Sequence, residues 1–197
     1  MSTRKTSEPA LYQLKITIRD ISPPIWRRLI VPGSITLDRL HAAIQIAFGW
    51  QSYHMHEFII GSEYYGTLQG GSPDAADNGR KVRLADLVKL AKSKFIYHYD
   101  FGDDWRHDVV VEKLLPSGGA TATPVCAAGK RHGPPEDCGG PWGYQELLNA
   151  LASRKHNRNR ELREWMGGPY NPEAFSLNEI NRQLNERYAR KAPRART

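Results

Sequence analysis

The sequence predicts an α+β domain, in which one main helix packs on a mostly antiparallel sheet of about five strands. The predicted arrangement is β-grasp-like, with a C-terminal helical extension. Three observations support it. Segments with a period of two or a continuous apolar run recur through the first 115 residues. One amphipathic helix pattern lies between the second and third of these segments, and helical spacing dominates after residue 143.

The first strand is the clearest element. Its apolar side chains alternate with polar ones, which is typical of a strand with one buried face: they are Tyr12, Leu14, Ile16 and Ile18. Ser22-Pro23-Pro24 ends this strand, because proline cannot donate a hydrogen bond to a sheet. A second strand is predicted from Ile25 to Val31, where Pro32-Gly33 ends it.

The main helix follows. Its apolar residues recur at helical spacing: Leu37, Leu40, Ile44, Ala47 and Phe48. Thr36 is the predicted N-cap, and Asp38 lies in the first turn, where a negative charge complements the helix dipole. Gly49 is the predicted C-terminal end.

Three more strands complete the predicted sheet: Met55 to Ile60, Phe95 to Tyr99, and Trp105 to Leu115. Residues 61–80 are rich in glycine and polar residues, which predicts a long loop with a short hairpin at Tyr64-Tyr65. A short helix is predicted along Leu84 to Ala91.

Residues 116–143 contain 7 glycines and 5 prolines among 28 residues, which precludes regular structure through most of the stretch. We still expect this segment to be ordered against the sheet, because proline lowers the entropy cost of ordering and Trp142 supplies an apolar anchor. It would then bring Glu136 and Asp137 close to the Asp100–Asp104 turn or to the histidines.

Three helix patterns end the chain. Their apolar residues are Leu147, Leu148 and Leu151; Leu162, Trp165 and Met166; and Leu177, Ile180, Leu184 and Tyr188. The predicted organisation is a disordered N-terminus at residues 1–10 and a single α+β domain at 11–188, whose helical extension covers 144–188. A basic disordered tail is predicted at 189–197.

Composition excludes several classes of protein. No apolar run approaches the roughly 20 residues that a bilayer span needs, so no membrane partner is expected. The N-terminal residues lack the apolar stretch of a secretion signal, and two cysteines, Cys126 and Cys138, are too few for a disulfide scaffold. A cytoplasmic protein is therefore expected.

The net charge of +7 is concentrated at the C-terminal end. The last eleven residues carry five basic side chains and no acidic one: Arg187, Arg190, Lys191, Arg194 and Arg196. A solvated tail is the simpler interpretation, and a DNA contact through released counterions, or a contact with a protein partner, is the alternative.

Two histidines suggest a metal site. His54 and His56 are two residues apart at the start of a predicted strand, so their side chains would share a face and could converge on zinc or another divalent ion. Cys126 could add a thiolate, and His41 and His107 are further candidates. Capping of the strand end by His54 and His56, and a buried structural role for His107, are the alternatives.

Acidic residues crowd one predicted turn, Phe101-Gly102-Asp103-Asp104, in which we expect Gly102 to adopt a conformation that other residues resist. Asp100, Asp103 and Asp104 either stabilise this turn or bind a cation or a basic partner. The expected ligand pocket combines the acids, two histidines and one tryptophan: Asp100, Asp103, Asp104, Glu136, Asp137, His41, His107 and Trp142.

Several segments together resemble one family. They include Ile21-Ser22-Pro23-Pro24-Ile25-Trp26-Arg27-Arg28, Tyr53-His54-Met55-His56-Glu57-Phe58, Tyr97-His98-Tyr99-Asp100-Phe101-Gly102-Asp103-Asp104-Trp105 and Pro134-Pro135-Glu136-Asp137-Cys138-Gly139-Gly140-Pro141-Trp142. The chain resembles the Ri-plasmid open-reading-frame-three-like family, also described as TnpR-type passenger proteins of insertion elements. The resemblance runs from about Tyr12 to Tyr188 and implies an α+β domain associated with plasmids and transposons.

The residues do not support the recombinase or resolvase chemistry that the TnpR description suggests. No serine lies in an activating, arginine-rich setting, and no histidine is followed by arginine three positions later. The sequence therefore favours a non-enzymatic binding or accessory module of a mobile element, with no catalytic residue assigned. A small metal-dependent enzyme with a His/carboxylate pocket is the first alternative, and a nucleic-acid-binding accessory protein is the second.

Overall fold

A computed structural model describes residues 11–66, 78–116, 123–152 and 159–189. Within them, the strands are β1 Leu11–Ile18, β2 Trp26–Pro32, β3 His56–Ile60, β4 Glu63–Gly66, β5 Lys94–Tyr99, β6 Trp105–Leu115 and β7 Val125–Lys130. The helices are α1 Leu37–Phe48, α2 Asn78–Lys81, α3 Leu84–Leu87, α4 Gly140–Ala152, α5 Asn159–Trp165 and α6 Leu177–Tyr188. The strands form one sheet in the order β4-β3-β5-β6-β1-β2-β7. Every neighbouring pair is antiparallel.

The α+β class and the antiparallel sheet are confirmed, but the predicted number of about five strands is too low. The sheet has seven strands, because β4 and β7 formed in regions that were predicted to be mainly loop. Among the described strands, both lie at the edges of the sheet, and β7 pairs with β2. The β-grasp-like description holds only in the coarse sense that α1 packs across one face of the sheet.

The core lies between α1 and the sheet. The alternating residues of β1 are buried as predicted, and α1 buries its apolar face against them. The helix ends at Gly49, whose φ of 83° is the left-handed conformation that glycine adopts readily. Thr36 is the N-cap residue, but its hydroxyl donates to the Asp38 carboxylate and does not cap a backbone amide.

The turn between β5 and β6 differs from the prediction. The left-handed residues are Asp100, with φ of 55°, and Asp104, with φ of 54°, whereas Gly102 is not in that region. The Asp100 carboxylate accepts hydrogen bonds from the backbone amides of Gly102 at 3.0 Å and Asp103 at 3.3 Å. This local bonding stabilises aspartate in the left-handed region, so glycine is not needed there.

The C-terminal elements pack on the sheet. Asn181 of α6 binds both backbone groups of Cys126 in β7: its Oδ1 accepts at 2.8 Å and its Nδ2 donates at 2.9 Å. Helix α4 begins at Gly140, which places Trp142 on the helix surface, 86% exposed. The prediction that Trp142 anchors the preceding loop is therefore wrong. The apolar contacts of α4 come instead from Tyr144 and Leu147.

The predicted disordered segment at 1–10 and most of the predicted tail at 189–197 lie outside the described residues. Among the helices that the structure does describe, none is both long and apolar enough to cross a bilayer.

Candidate functional site

Three separate segments meet at one end of the sheet: the loop at 50–55 after α1, the turn at 99–104, and the loop at 131–139 between β7 and α4. The Trp50 indole donates to the carbonyl of Pro134 at 2.8 Å, and the amide of Gly139 donates to Asp103 Oδ2 at 3.1 Å. The amide of Asp100 donates to the carbonyl of Met55 at 2.9 Å. The loop therefore lies against the acidic turn, as the sequence predicted.

One side chain from each segment forms the centre of this site. His54 Nε2 lies 3.0 Å from Asp137 Oδ1 and 3.6 Å from Asp100 Oδ2. These ligand atoms all lie within 4.8 Å of one another. The Asp100 side chain is nearly buried, that of His54 is 29% exposed, and that of Asp137 is 64% exposed. The cluster therefore has a closed side and an open side.

The Nε2 atom of His54 is shielded from solvent, yet among the described residues it makes no aligned hydrogen bond. Asp137 is at ion-pair distance, but the direction of the ring N–H does not fit a hydrogen bond to it. A cation held by the His54 imidazole and both carboxylates would satisfy this arrangement.

Glu136 fixes the loop beside this cluster. Its Oε2 accepts from the Gln51 amide at 3.0 Å, and its Oε1 accepts from the Tyr99 hydroxyl. The backbone is also constrained at Gly140, where a β-carbon would overlap the carbonyl oxygen of Asp103. The loop residues on both sides of Asp137 are thus held in place.

His56 does not join His54, so the predicted His54–His56 metal pair is wrong. The strand begins at His56 and His54 lies in the preceding bend, so the period-two rule does not relate them. His56 instead stacks on His41, with ring centroids 3.5 Å apart. Burial lowers the pKa of His41 to about 3 and that of His56 to about 4, so both rings are neutral near neutral pH.

A hydrogen-bond chain fixes the His41 ring of this stacked pair. The Ser52 amide donates to Gln45 Oε1 at 2.9 Å, and Gln45 Nε2 donates to the Tyr97 hydroxyl at 2.9 Å. That hydroxyl is left to donate to His41 Nδ1, 2.7 Å away. His41 therefore belongs to a network between α1 and the sheet and not to the acidic pocket that the sequence predicts.

His107 is fully buried among aromatic rings, with Phe48 at 5.1 Å and Trp50 at 5.3 Å between centroids. Its Nδ1 lies 3.2 Å from the carbonyl of Tyr97 and 3.1 Å from that of Trp105, so this nitrogen carries the proton. Burial lowers the pKa of His107 to about 3. The alternative of a buried structural histidine is correct, and His107 is not part of the pocket.

Two other candidates also lie outside the cluster. Cys126 is buried in β7 beneath α6, and burial raises the pKa of its thiol, which disfavours the thiolate that a metal needs. Trp142 flanks the acidic turn as an exposed ring together with Asp103 and Gln145. Cys126 is thus separate from the histidines, whereas Trp142 borders the site without closing it.

A second cluster, in which one histidine lies between two carboxylates, was not predicted from the sequence. His98 Nδ1 lies 3.1 Å from Glu57 Oε1, and His98 Nε2 lies 2.8 Å from Asp104 Oδ1, which also accepts from Arg106. Asp104 therefore points away from the His54 cluster. The alternation of β5 was the available signal, since it places His98 on the face opposite Tyr97 and Tyr99.

Of the basic residues proposed to contact nucleic acid, the structure describes Arg187, which is exposed at the end of α6. The others lie outside the described residues: Arg190, Lys191, Arg194 and Arg196.

This chain is similar to a known protein family and to individual known proteins. The family model described as plasmid pRiA4b ORF-3-like protein matches residues 10–179. The uncharacterized protein y4hQ of Sinorhizobium fredii (strain NBRC 101917 / NGR234) is 37% identical over 189 residues, or 95% of this chain and 97% of that protein. The crystal structure of the protein of unknown function MM3350 from Methanosarcina mazei Go1 matches with a TM-score of 0.75 and 37% identity, over 86% of this chain and 96% of that one. The family match spans all three segments of the site.

Proposed function

The chain belongs to the plasmid pRiA4b ORF-3-like family, and from that premise we propose that it is a non-enzymatic binding module of a mobile genetic element whose ligand site holds a divalent cation. The site is formed by His54, Asp100 and Asp137. The observation that carries the proposal is the convergence of these three donors, from three distant segments, within 4.8 Å.

The donor set fits a transition metal. One imidazole nitrogen and two carboxylate oxygens suit zinc or a similar first-row ion, whereas calcium and magnesium prefer sites made of oxygen alone. A bound cation would neutralise the two carboxylates and accept the lone pair of His54 Nε2, which makes no aligned hydrogen bond here.

The donors are also held before any ion binds. Asp100 is fixed by the hydrogen bonds of its own turn, and Asp137 by the engaged residues Glu136 and Gly139 on either side of it. Ordered ligands reduce the entropy cost of binding, which is how a few donors can bind an ion tightly.

A metal-dependent hydrolase is the second candidate, and the open side of the cluster favours it. Three protein ligands with the exposed Asp137 at the rim leave a coordination position for water, as in catalytic zinc sites. The neighbouring acid, Glu136, has both carboxylate oxygens engaged by Gln51 and Tyr99. It is therefore poorly placed to accept a proton from such a water, and binding is the better supported function.

The test is the zinc content of protein purified without a histidine tag, incubated with zinc and desalted. We expect about one zinc ion per chain in the wild type and at least a roughly tenfold weaker affinity in His54→Ala and Asp137→Asn. Asp108→Asn is the matched control, because Asp108 pairs with Arg19 on the surface of β6. Equal zinc retention by Asp137→Asn and the control would contradict the proposal.

The zinc-loaded protein also separates the two candidates. Hydrolysis of p-nitrophenyl acetate or bis(p-nitrophenyl) phosphate that disappears in Asp137→Asn would support the hydrolase. A wild type that retains zinc and leaves both compounds intact would support the binding module.

A further inference from the structure

A buried arginine lies at the wall of a cavity that shares no residue with the metal cluster. The Arg27 side chain comes from β2, and the residue is only 2% exposed. The cavity, of about 420 Å³, lies between the end of α1, the 132–133 segment and the start of α6. This volume is within the range of small-molecule sites.

The Arg27 guanidinium is only partly satisfied. Its Nε donates to the carbonyl of Ala47 at 2.6 Å, and its Nη1 donates to the carbonyls of Trp26 at 2.8 Å and Lys130 at 3.0 Å. Within the described part of the chain, Nη2 donates to no acceptor and no carboxylate forms an ion pair with this side chain. The two N–H groups of Nη2 on this buried side chain thus have no hydrogen-bond acceptor in the part of the chain that the structure describes.

This group is charged at neutral pH. Burial lowers the pKa of Arg27 only to about 10. The carbonyl of Ala47 lies at the C-terminal end of α1, where the helix dipole amounts to roughly half a negative charge. The dipole offsets part of the arginine charge, and no carboxylate among the described residues pairs with the remainder.

The walls of the cavity are apolar. The guanidinium carbon lies 4.9 Å from the ring centroid of Phe48 and 5.0 Å from that of Phe175, and Ile46 and Ile180 extend the same surface. The one acid at the rim, Glu179, is already paired with Arg182 at 2.6 Å and accepts from Gln183 at 2.7 Å. It therefore does not compete for Arg27.

We propose that this cavity binds a small organic carboxylate with an apolar body. The carboxylate accepts from Arg27 Nη2, and the apolar body lies against Phe48 and Phe175. Charge complementarity selects an anion, and the apolar walls select an aryl or alkyl acid over a small inorganic anion.

The test compares phenylacetate with its neutral isostere phenylacetamide and with acetate, by calorimetry in the presence of a metal chelator. We expect saturable binding of phenylacetate, with the amide and acetate each at least about tenfold weaker. Ala174→Trp fills the cavity while keeping Arg27, and should abolish binding; Arg27→Lys keeps the charge and should weaken it. Asp137→Asn should bind phenylacetate like the wild type, which separates this site from the metal cluster.

Three results would overturn the proposal. The first is no heat of binding at about 10 mM phenylacetate, well above the millimolar affinity expected of a weak specific site. The second is equal binding of the acid and the amide, which would remove the role of the charge. The third is unchanged binding in a folded Ala174→Trp variant, which would place the ligand elsewhere.

Discussion

Four of the histidines that the structure describes occupy two contrasting regions. Under α1, His41, His56 and His107 are enclosed by aromatic rings and hydrogen bonds. At the end of the sheet, His54 faces two carboxylates beside solvent. The contrast lies in what surrounds each ring: burial keeps the rings under α1 neutral, whereas the His54 ring lies beside two carboxylates.

Trp50 connects the two regions, and its removal should have the largest effect. Its ring packs on His107 and on Tyr99, at 5.3 and 5.1 Å between centroids, and its indole holds the loop through Pro134. Trp50→Ala should lower the free energy of unfolding by about 3–5 kcal/mol, the usual cost of removing a buried aromatic ring. Urea unfolding measures this loss. Trp50→Phe should cost less, and equal losses would assign the whole effect to the hydrogen bond.

Zinc should stabilise the protein only by binding at the cluster of His54, Asp100 and Asp137. At a free concentration of 100 times the dissociation constant, a bound ion adds about 2.7 kcal/mol to the free energy of unfolding. Thermal unfolding with and without zinc measures this gain in the wild type. Asp137→Asn should lose it, and His41→Gln should keep it. A gain that also disappears in His41→Gln would show that the two histidine regions are not independent.

Mild acid should destabilise the protein through the three histidines that lie between α1 and the sheet: His41, His56 and His107. Burial lowers the pKa of His41, His56 and His107 to about 3, 4 and 3, below the value of about 6.5 expected in the unfolded chain. Between these values the unfolded chain binds more protons than the folded one, so stability is complete above about pH 6.5 and falls as the pH decreases.

The measurement is the free energy of unfolding between pH 6.5 and 5, above the range in which carboxylates mainly titrate. Each buried histidine contributes a slope of up to about 1.4 kcal/mol per pH unit. His41→Gln keeps an acceptor for the Tyr97 hydroxyl but cannot titrate, so its slope should be shallower than that of the wild type. An identical slope in both proteins would mean that folding does not lower the pKa of His41.

Elements with a strong period were predictable from the sequence. The alternation of β1 and the spacing of α1, with its end at Gly49, define those elements without tertiary information. Strand β7 was not predictable, because its Ala127-Ala128-Gly129 centre has little β-propensity. It forms because β2 offers an edge and α6 covers it.

The candidate site was predictable only in part. The approach of Asp137 to the acidic turn followed from the proline- and glycine-rich frame of its loop. The choice of His54 over His56 did not, because it depends on where β3 begins: His56 is the first residue of the strand, and His54 lies in the bend before it. The left-handed Asp100 was also missed, since its stability comes from its own side chain.

The smallest effect is expected at Trp142, the residue that sequence reasoning made the loop anchor. Its ring is 86% exposed on α4, whereas the same loop is held by the Trp50 indole and by Gly139. Trp142→Ala should therefore change the free energy of unfolding by less than about 0.5 kcal/mol, as surface substitutions do. Zinc affinity should also stay constant, because Asp137 is positioned from the other side. A loss of several kcal/mol in urea unfolding, comparable to that of Trp50→Ala, would show that the loop depends on both rings and would remove the asymmetry between them.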